Sequence, residues 1–359
     1  YSQIGTHDKA SEAFEKAARL EPNESAIITR LGMSQMAMNM PVNAERNFRK
    51  AVEMEGDDKP TMPMLADVLA RQGREHEVPG LWKDLIDANP QNPVAHAQHA
   101  MALLQTGRKD EALRAFDVAL ETLEDNTLVK RYYAPVLAQD GDLDRAMDFY
   151  EDCLDVAPAD VQLLLEYAST LQQAEREFEI PPVLRNALAA NPDPNTKAQA
   201  QAWLIEIEQP KRVEAVKSAS EKVEAGDVEK AISELKPLRN WLADYWKMWA
   251  ILAAAHNRVD QYAEAEEASR RLLEMFPACE PGYGELATAL SGQGRHDEAF
   301  QLMQIAMGNM PNSLMVAINY ALSAKRAGHP EEAKAMAKQI REATNNQEDL
   351  RPLLDDIES

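Results

Sequence analysis

Small side chains that suit close helix packing recur along the chain at a fixed interval of 34 residues. They form one series of six positions and one of four: Ala10, Ala44, Val78, Ala112, Ala146 and Ile180, then Ala231, Ala265, Ala299 and Ala333. A large side chain often follows four positions later: Phe14, Phe48, Trp82, Phe116, Tyr150, Leu184 and Leu235. Residues four apart share one face of a helix, so the pattern predicts amphipathic helices that pack closely. A period of this length is typical of stacked helical hairpins.

Turn and breaker residues keep the same register. Glycine, asparagine or aspartate stands five positions before the small residue: Gly5, Asn39, Gly73, Gly107, Gly141, Gly226, Asp260, Gly294 and Gly328. These residue types adopt a positive φ and end a helix. Proline or glycine stands twelve positions after it: Pro22, Gly56, Pro90, Pro158, Pro192, Pro277 and Pro311. Proline cannot continue a helix, so each period predicts two helices, a tight turn between them and a break after the second.

Together these columns resemble the tetratricopeptide repeat over almost the whole chain. The large–small pair of that repeat is supplied by Leu31-Gly32, Leu65-Ala66, Leu252-Ala253, Leu286-Ala287 and Tyr320-Ala321. The resemblance implies an all-α, right-handed superhelix of about ten hairpins, in which each hairpin buries its apolar face against its neighbours. It also implies a concave inner wall lined by the first helix of each hairpin.

The two series are out of phase near the middle of the chain. Ile180 and Ala231 lie 51 positions apart, which is one and a half periods. Half a period is one helix, and 195–208 is the segment we expect to form it. The predicted organisation is an amino-terminal array with an incomplete first repeat, an irregular helix, a carboxy-terminal array and a capping helix, at 1–194, 195–210, 211–345 and 346–359. The alternative is an irregular repeat without functional meaning.

The net charge of the chain argues against some classes of partner, and its first residues suggest another. The chain carries 38 basic and 60 acidic side chains, for a net charge of -22. Such a surface disfavours nucleic acid and anionic lipid. No apolar run reaches the length of a membrane span. The chain opens at Tyr1 inside a repeat, so we expect the array to start upstream, with self-association possible through the uncapped amino end. The compartment stays open.

No motif predicts catalysis, a cofactor or a metal. The chain lacks a Gly-rich phosphate loop, a serine nucleophile elbow and an HExxH pair. His96 and His99 have a spacing that suits metal ligands, but they fall in packing columns without a third ligand. Cys153 and Cys279 stand 126 positions apart and are interpreted as packing residues. We therefore expect a protein that is not an enzyme.

Tryptophans 241, 246 and 249 cluster with Tyr245 around one hairpin junction. The pattern favours a core position for this cluster. The alternative is an exposed anchor for a partner, since interfaces favour tryptophan and tyrosine.

Offsets carried over from the resemblance predict which side chains line the concave wall. The candidate partner-binding residues are Met33, Met36, Met64, Met101, Leu104, Arg131, Tyr132, Lys247, Arg258, Lys325 and Arg326. Over the whole predicted lining, eight cations stand against four carboxylates. This mildly basic wall contrasts with the acidic total. Methionine is flexible and polarisable, so such a wall accepts varied apolar side chains.

The sequence thus favours a scaffold that holds a protein or peptide, such as an amphipathic helix, in a methionine-rich groove. The alternative is a targeting or substrate-recruiting arm of a larger enzyme or of an envelope polysaccharide-secretion protein. A chaperone-tail receptor is disfavoured. The lysine and asparagine of its clamp are replaced here by Thr29 and Met33, Pro63 and Asp67, and Ala97 and Met101.

Overall fold

The computed structural model describes residues 7–56, 59–345 and 347–358. Contacts divide the chain into two units, Tyr1–Pro158 and Ala159–Ser359. The described residues form helices, turns and loops, and no strand occurs among them. The predicted all-α repeat fold is therefore confirmed. The predicted tail of a first helix at 1–4 and the turn at Gly5 lie outside the described residues, so self-association through that end stays a prediction.

Unit 1 is a series of helical hairpins. Its described helices are α1 (His7–Leu20), α2 (Ser25–Ala37), α3 (Pro41–Met54), α4 (Met62–Arg71), α5 (Val78–Ala88), α6 (Pro93–Gln105), α7 (Lys109–Thr122), α8 (Thr127–Asp140) and α9 (Leu143–Val156). A short 3-10 turn, Glu75–Glu77, precedes α5. Each helix packs along the next one in the chain.

Unit 2 continues the hairpins and contains the irregular segment. Its described helices are α10 (Val161–Gln173), α11 (Ile180–Ala189), α12 (Pro194–Glu208), α13 (Pro210–Ala225), α14 (Val228–Leu235), α15 (Trp246–Arg258), α16 (Tyr262–Met275), α17 (Glu280–Gly292), α18 (His296–Asn309), α19 (Leu314–Arg326), α20 (Pro330–Ala343) and α21 (Arg351–Glu358). Further 3-10 turns lie at Glu177–Glu179, Lys236–Leu238 and Glu348–Leu350.

The columns read from the sequence have the predicted roles. Every small residue of the two series is buried, and the large residues from Phe48 onward are buried with them. The eight described turn positions all have positive φ: Asn39, Gly73, Gly107, Gly141, Gly226, Asp260, Gly294 and Gly328. Glu175 occupies the same turn position between α10 and α11, at φ 57°. At the turn position, glycine, asparagine or aspartate thus occurs where the backbone needs a positive φ, and Glu175 is the exception.

The extra helix is α12, at the place where the repeat changes phase. Asp193 caps it by accepting hydrogen bonds from the backbone N–H groups of Asn195 and Thr196, at 3.0 and 3.2 Å. Only Gln209 separates α12 from α13, so the two cannot form an ordinary hairpin. Instead α12 packs against α11 and also reaches α15 and α16. The Oδ1 atom of Asn195 accepts a hydrogen bond from the Ala278 N–H at 2.8 Å, at the junction that follows α16.

The division by contacts falls after Pro158, whereas the sequence places its boundary at 194, where the repeat changes phase. The predicted boundaries therefore stay predictions. At the end of unit 2, α21 places Leu354 and Ile357 against Ile340 of α20. Arg341 pairs with Glu358 at 3.0 Å on the same contact. The apolar face of α20 is thus covered by α21, whose outer side is polar.

Candidate protein-interaction surface

A set of apolar side chains on the first helices of successive hairpins reaches solvent in unit 1. We call Met33 and Met36 of α2, Met64 of α4, and Met101 and Leu104 of α6 the methionine wall. Met33 is 50% exposed. Met36 and Met64 are half-buried and pack on one cluster of buried side chains. Met101 and Leu104 are half-buried as well. All five side chains are thus at least partly accessible, and Met36 and Met64 also contact the core.

The next first helix, α8, adds Arg131 and Tyr132, both half-buried. Their neighbours point into the hairpin. Tyr133 stacks on Phe116 with ring centroids 4.5 Å apart, and Lys130 pairs with Asp152 at 2.7 Å. The core contacts of residues 130 and 133 hold α8 at a fixed rotation. Arg131 and Tyr132 therefore occupy a different side of the helix from those core contacts.

Of the four cations of unit 2 among the candidate partner-binding residues, three already have partners within that unit. Lys247 lies 2.6 Å from Glu206. Arg258 donates to the backbone carbonyl of Val223, and Lys325 lies 3.3 Å from Asp356. An acidic partner would have to compete with these contacts.

The fourth cation, Arg326, is exposed and makes no ion pair within the part of the chain that the structure describes. One predicted carboxylate of the same lining, Glu285, is half-buried. Burial raises the pKa of Glu285, against a 2.7 Å hydrogen bond from Asn257 and the charge of Arg258.

The histidines at 96 and 99 bond to the backbone. His96 uses Nε2 to reach the Pro90 carbonyl at 2.9 Å, and His99 uses Nδ1 to reach the Pro79 carbonyl at the same distance. A carbonyl oxygen can only accept a hydrogen bond. Nε2 of His96 and Nδ1 of His99 must therefore each carry a hydrogen. Within residues 7–56, 59–345 and 347–358, no cluster of three or more histidine, cysteine or acidic side chains is placed to hold a metal.

The tryptophan cluster divides into core and surface. Trp249 is buried and donates its indole N–H to the Ala243 carbonyl at 2.9 Å. Trp246 packs edge-on against Phe276, with centroids 4.9 Å apart. Trp241 is 63% exposed, and the guanidinium of Arg212 lies 4.2 Å from its ring centroid. The core interpretation therefore holds for residues 246 and 249, and the anchor alternative fits Trp241.

Phe178 is an exposed side chain that sequence reasoning did not single out. It lies in the 3-10 turn before α11. The repeat pattern carried no signal for it, because residue 178 lies between the turn at Glu175 and the buried position at Ile180. Among the described helices, none combines the length and apolar character that a membrane span requires.

The geometry defines a class of protein built from repeated helical hairpins. The tetratricopeptide-repeat family model matches residues 1–24 and 136–160. The two matched segments end 136 positions apart, which is four periods of 34, so the matches agree with the register of the buried columns. The chain is thus similar to tetratricopeptide-repeat proteins in both matched segments. A second family model, the bacterial transcriptional activator domain, matches residues 50–127.

Individual relatives are more distant. The cellulose synthase operon protein C of Xanthomonas axonopodis pv. citri is 28% identical over 198 residues, which is 55% of this chain and 11% of that protein. The chain thus spans about a tenth of the length of this relative. Among solved structures, TTC0263 of Thermus thermophilus, a thermophilic repeat protein of this type, is 25% identical over 48% of this chain and 93% of its own, with a TM-score of 0.37. Yeast Tom70 is 13% identical over 100% of this chain and 86% of its own, with a TM-score of 0.35.

Proposed function

We propose that the chain is a non-enzymatic scaffold that holds an amphipathic helix or extended peptide of a partner protein against the methionine wall. The observation that carries this proposal is the partial solvent exposure of the methionine wall. Met36 and Met64 pack on the core and remain partly accessible, and Met33 beside Met36 on α2 is 50% exposed. Repeat arrays use such surfaces for binding, and methionine adapts to varied apolar side chains.

Polar side chains at the edges of this surface would orient the bound segment. Arg131 and Tyr132 follow the wall on α8 and are half-buried. Unit 2 presents a separate candidate surface, on which Arg326 is exposed. We therefore propose that apolar contacts supply most of the affinity. Polar contacts at Arg131 and Tyr132 would supply orientation.

Photo-crosslinking tests the location of the surface. A benzoylphenylalanine residue replaces Met33 in one variant and Val42 of α3, which is 69% exposed, in a matched control. Both positions are exposed and apolar, but only the first belongs to the wall. The proposal expects one protein crosslinked at position 33 and absent at position 42. Equal crosslinking at both positions would contradict it.

Affinity with the purified partner then tests the role of the wall. Alanine at Met33, Met36 and Met101 together should weaken binding by about tenfold or more, since each buried methionine contact contributes on the order of 1 kcal/mol. Alanine at Leu20, Val42 and Val156, all exposed on second helices of hairpins, is the control and should leave affinity unchanged. Unchanged affinity in the methionine variant would exclude the groove.

A second candidate function is an interaction arm within an envelope polysaccharide-secretion protein. The similarity to the cellulose synthase operon protein C over 198 residues favours it. The identity of the protein crosslinked at position 33 distinguishes the candidates. A component of a polysaccharide-synthesis machine supports the arm, and an unrelated protein supports the general scaffold.

A further inference from the structure

A pocket of about 470 Å³ lies between α5, α6 and α7 of unit 1. Its apolar lining includes Ile86, Leu103 and Val118, one from each helix. The α-helix turns by roughly 100° per residue, which puts Met101 and Leu104 on a different face of α6 from Leu103 and His99. The pocket is therefore separate from the methionine wall.

The rim of the pocket is basic. It carries Lys83, Arg108 and Arg114 against one carboxylate, Glu111. Arg108 grips both oxygens of Glu111 through Nε and Nη2, at 2.8 and 2.6 Å, so these two charges satisfy each other. The remaining charge on the rim is positive, although the whole chain has a net charge of -22.

The two remaining cations are accessible. Lys83 is exposed, and its ion pair among the described residues is a 3.4 Å contact with Asp87, which does not line the pocket. Arg114 is exposed on α7 and makes no ion pair or side-chain hydrogen bond within the described ranges. A charged group that enters the pocket would meet both without breaking a buried contact.

His99 also lines the pocket. Burial lowers the pKa of His99, with help from the charges of Lys83 and Arg108 and against the bond to Pro79, so the ring is neutral near pH 7. Its Nδ1 is committed to the Pro79 carbonyl, and Nε2 is the nitrogen that would take up a proton. Protonation there adds a donor without loss of the backbone bond. Titratable and charged groups near the ring are Lys83, His96, Arg108 and Glu111.

We propose that this pocket binds a carboxylate side chain, flanked by an apolar residue, from an acidic segment of a partner protein. Arg114 and Lys83 pair with the carboxylate, and the apolar floor takes the flanking side chain. At physiological salt the Debye length is about 8 Å, so these local charges outweigh the distant acidic surface. Charge complementarity and the mixed lining commit the pocket to this occupant.

The test is a nuclear magnetic resonance titration of the full chain in 0.15 M salt, a concentration of roughly physiological ionic strength. The probe is acetyl-Leu-Glu-Leu-amide, and the matched control is acetyl-Leu-Gln-Leu-amide. Saturable shifts are expected at residues 83, 99 and 114 with the glutamate peptide, and about tenfold weaker binding with the glutamine peptide. The pKa of His99 should rise when the glutamate peptide saturates the pocket. Equal binding of the two peptides would overturn the proposal, as would the absence of saturable shifts.

Variants localise the effect. Arg114→Glu should abolish saturable binding, whereas Arg19→Glu, an exposed arginine on α1, should retain it. Lys83→Glu provides a second variant at the site, and an unchanged spectrum outside the pocket shows that each variant is folded. Tight binding of acetyl-Leu-phosphoSer-Leu-amide without binding of the glutamate peptide would make this a phosphate site and overturn the proposal. Met36→Ser should not alter the titration, so failure here is distinguishable from failure of the methionine wall.

Discussion

The ring of Phe48 lies so close to Gly32 that a β-carbon at position 32 would be 2.5 Å from Cε1 of the ring. Gly32 is on α2 and Phe48 on α3, so the missing side chain is what allows the two helices of this hairpin to approach. The contact joins the small residue of the Leu31-Gly32 pair to the large residue that follows Ala44 by four positions.

Gly32→Ala should therefore destabilise unit 1. Overpacking costs on the order of 1–3 kcal/mol, which exceeds the gain of about 1 kcal/mol in helix propensity. Thermal unfolding followed by circular dichroism measures the change. Gly80→Ala on α5 is the control, because a β-carbon there meets no atom within 4 Å. It should raise the midpoint slightly. Phe48→Leu combined with Gly32→Ala should recover part of the loss.

Glu175→Gly should stabilise unit 2. Glu175 adopts φ 57° at the turn position that glycine fills elsewhere, and its side chain is exposed. The left-handed conformation costs an ordinary residue about 1–2 kcal/mol, most of which glycine avoids. A net gain of about 1 kcal/mol is expected in the free energy of unfolding. Glu177→Gly, two positions on and inside the 3-10 turn, should give no gain, and a gain there would contradict this explanation.

The free energy of unfolding should depend on pH in the acid range because of the carboxylate of Glu266. Burial raises its pKa, but hydrogen bonds from Gln293 and Arg270 and the charge of Arg295 outweigh burial, and the net pKa is below 4.5. Because the folded-state pKa is lower than the unfolded one, this contribution is complete above about pH 4.5 and declines as pH falls through the folded value.

Glu266→Gln should therefore lower the unfolding midpoint at pH 7 by about 1–3 °C and make the midpoint less sensitive to pH between 5 and 3, roughly the range in which carboxylates titrate. Glu264→Gln, on the same helix α16, is the control. Equal pH profiles for the wild-type protein and Glu266→Gln would show that the contact is not linked to protonation.

Trp241 and Trp249 should respond differently to alanine. Trp249 is buried, so its loss should cost about 3–5 kcal/mol and lower the midpoint markedly. Trp241 contacts Arg212 at an exposed site, where a cation–π pair contributes about 0.5–1 kcal/mol. A small stability loss with a clear loss of partner affinity in Trp241→Ala would support the anchor alternative. A large stability loss would exclude it.

The sequence predicted the repeat because the same backbone requirement recurs at every unit. Gly73 and Gly294 stand where φ must be positive, and Ala44 and Ala299 stand where two helices cross, so identity follows from geometry. The register in turn located the extra helix. Glu175 shows the limit of this inference, because the surrounding hairpin imposes the turn on a residue that does not favour it.

The candidate site was less predictable, because it depends on side-chain partners that are distant in sequence. Lys247 was expected to face a partner, but Glu206 lies 41 positions earlier on the extra helix and binds it. Lys325 is likewise paired with the final helix. The exposed face of a helix can be predicted from the period of its hydrophobic positions. Whether a charged side chain on that face is already paired with another residue depends on the tertiary structure.

The bond between Asn195 and the Ala278 N–H joins residues 83 positions apart. In a linear array each repeat contacts only its neighbours, so folding can start anywhere and spread one unit at a time. Because α12 touches α11 as well as α15 and α16, it links repeats that such an array would leave independent. The middle of unit 2 should therefore gain or lose structure as one cooperative block with a higher contact order, and fold more slowly than the hairpins on either side.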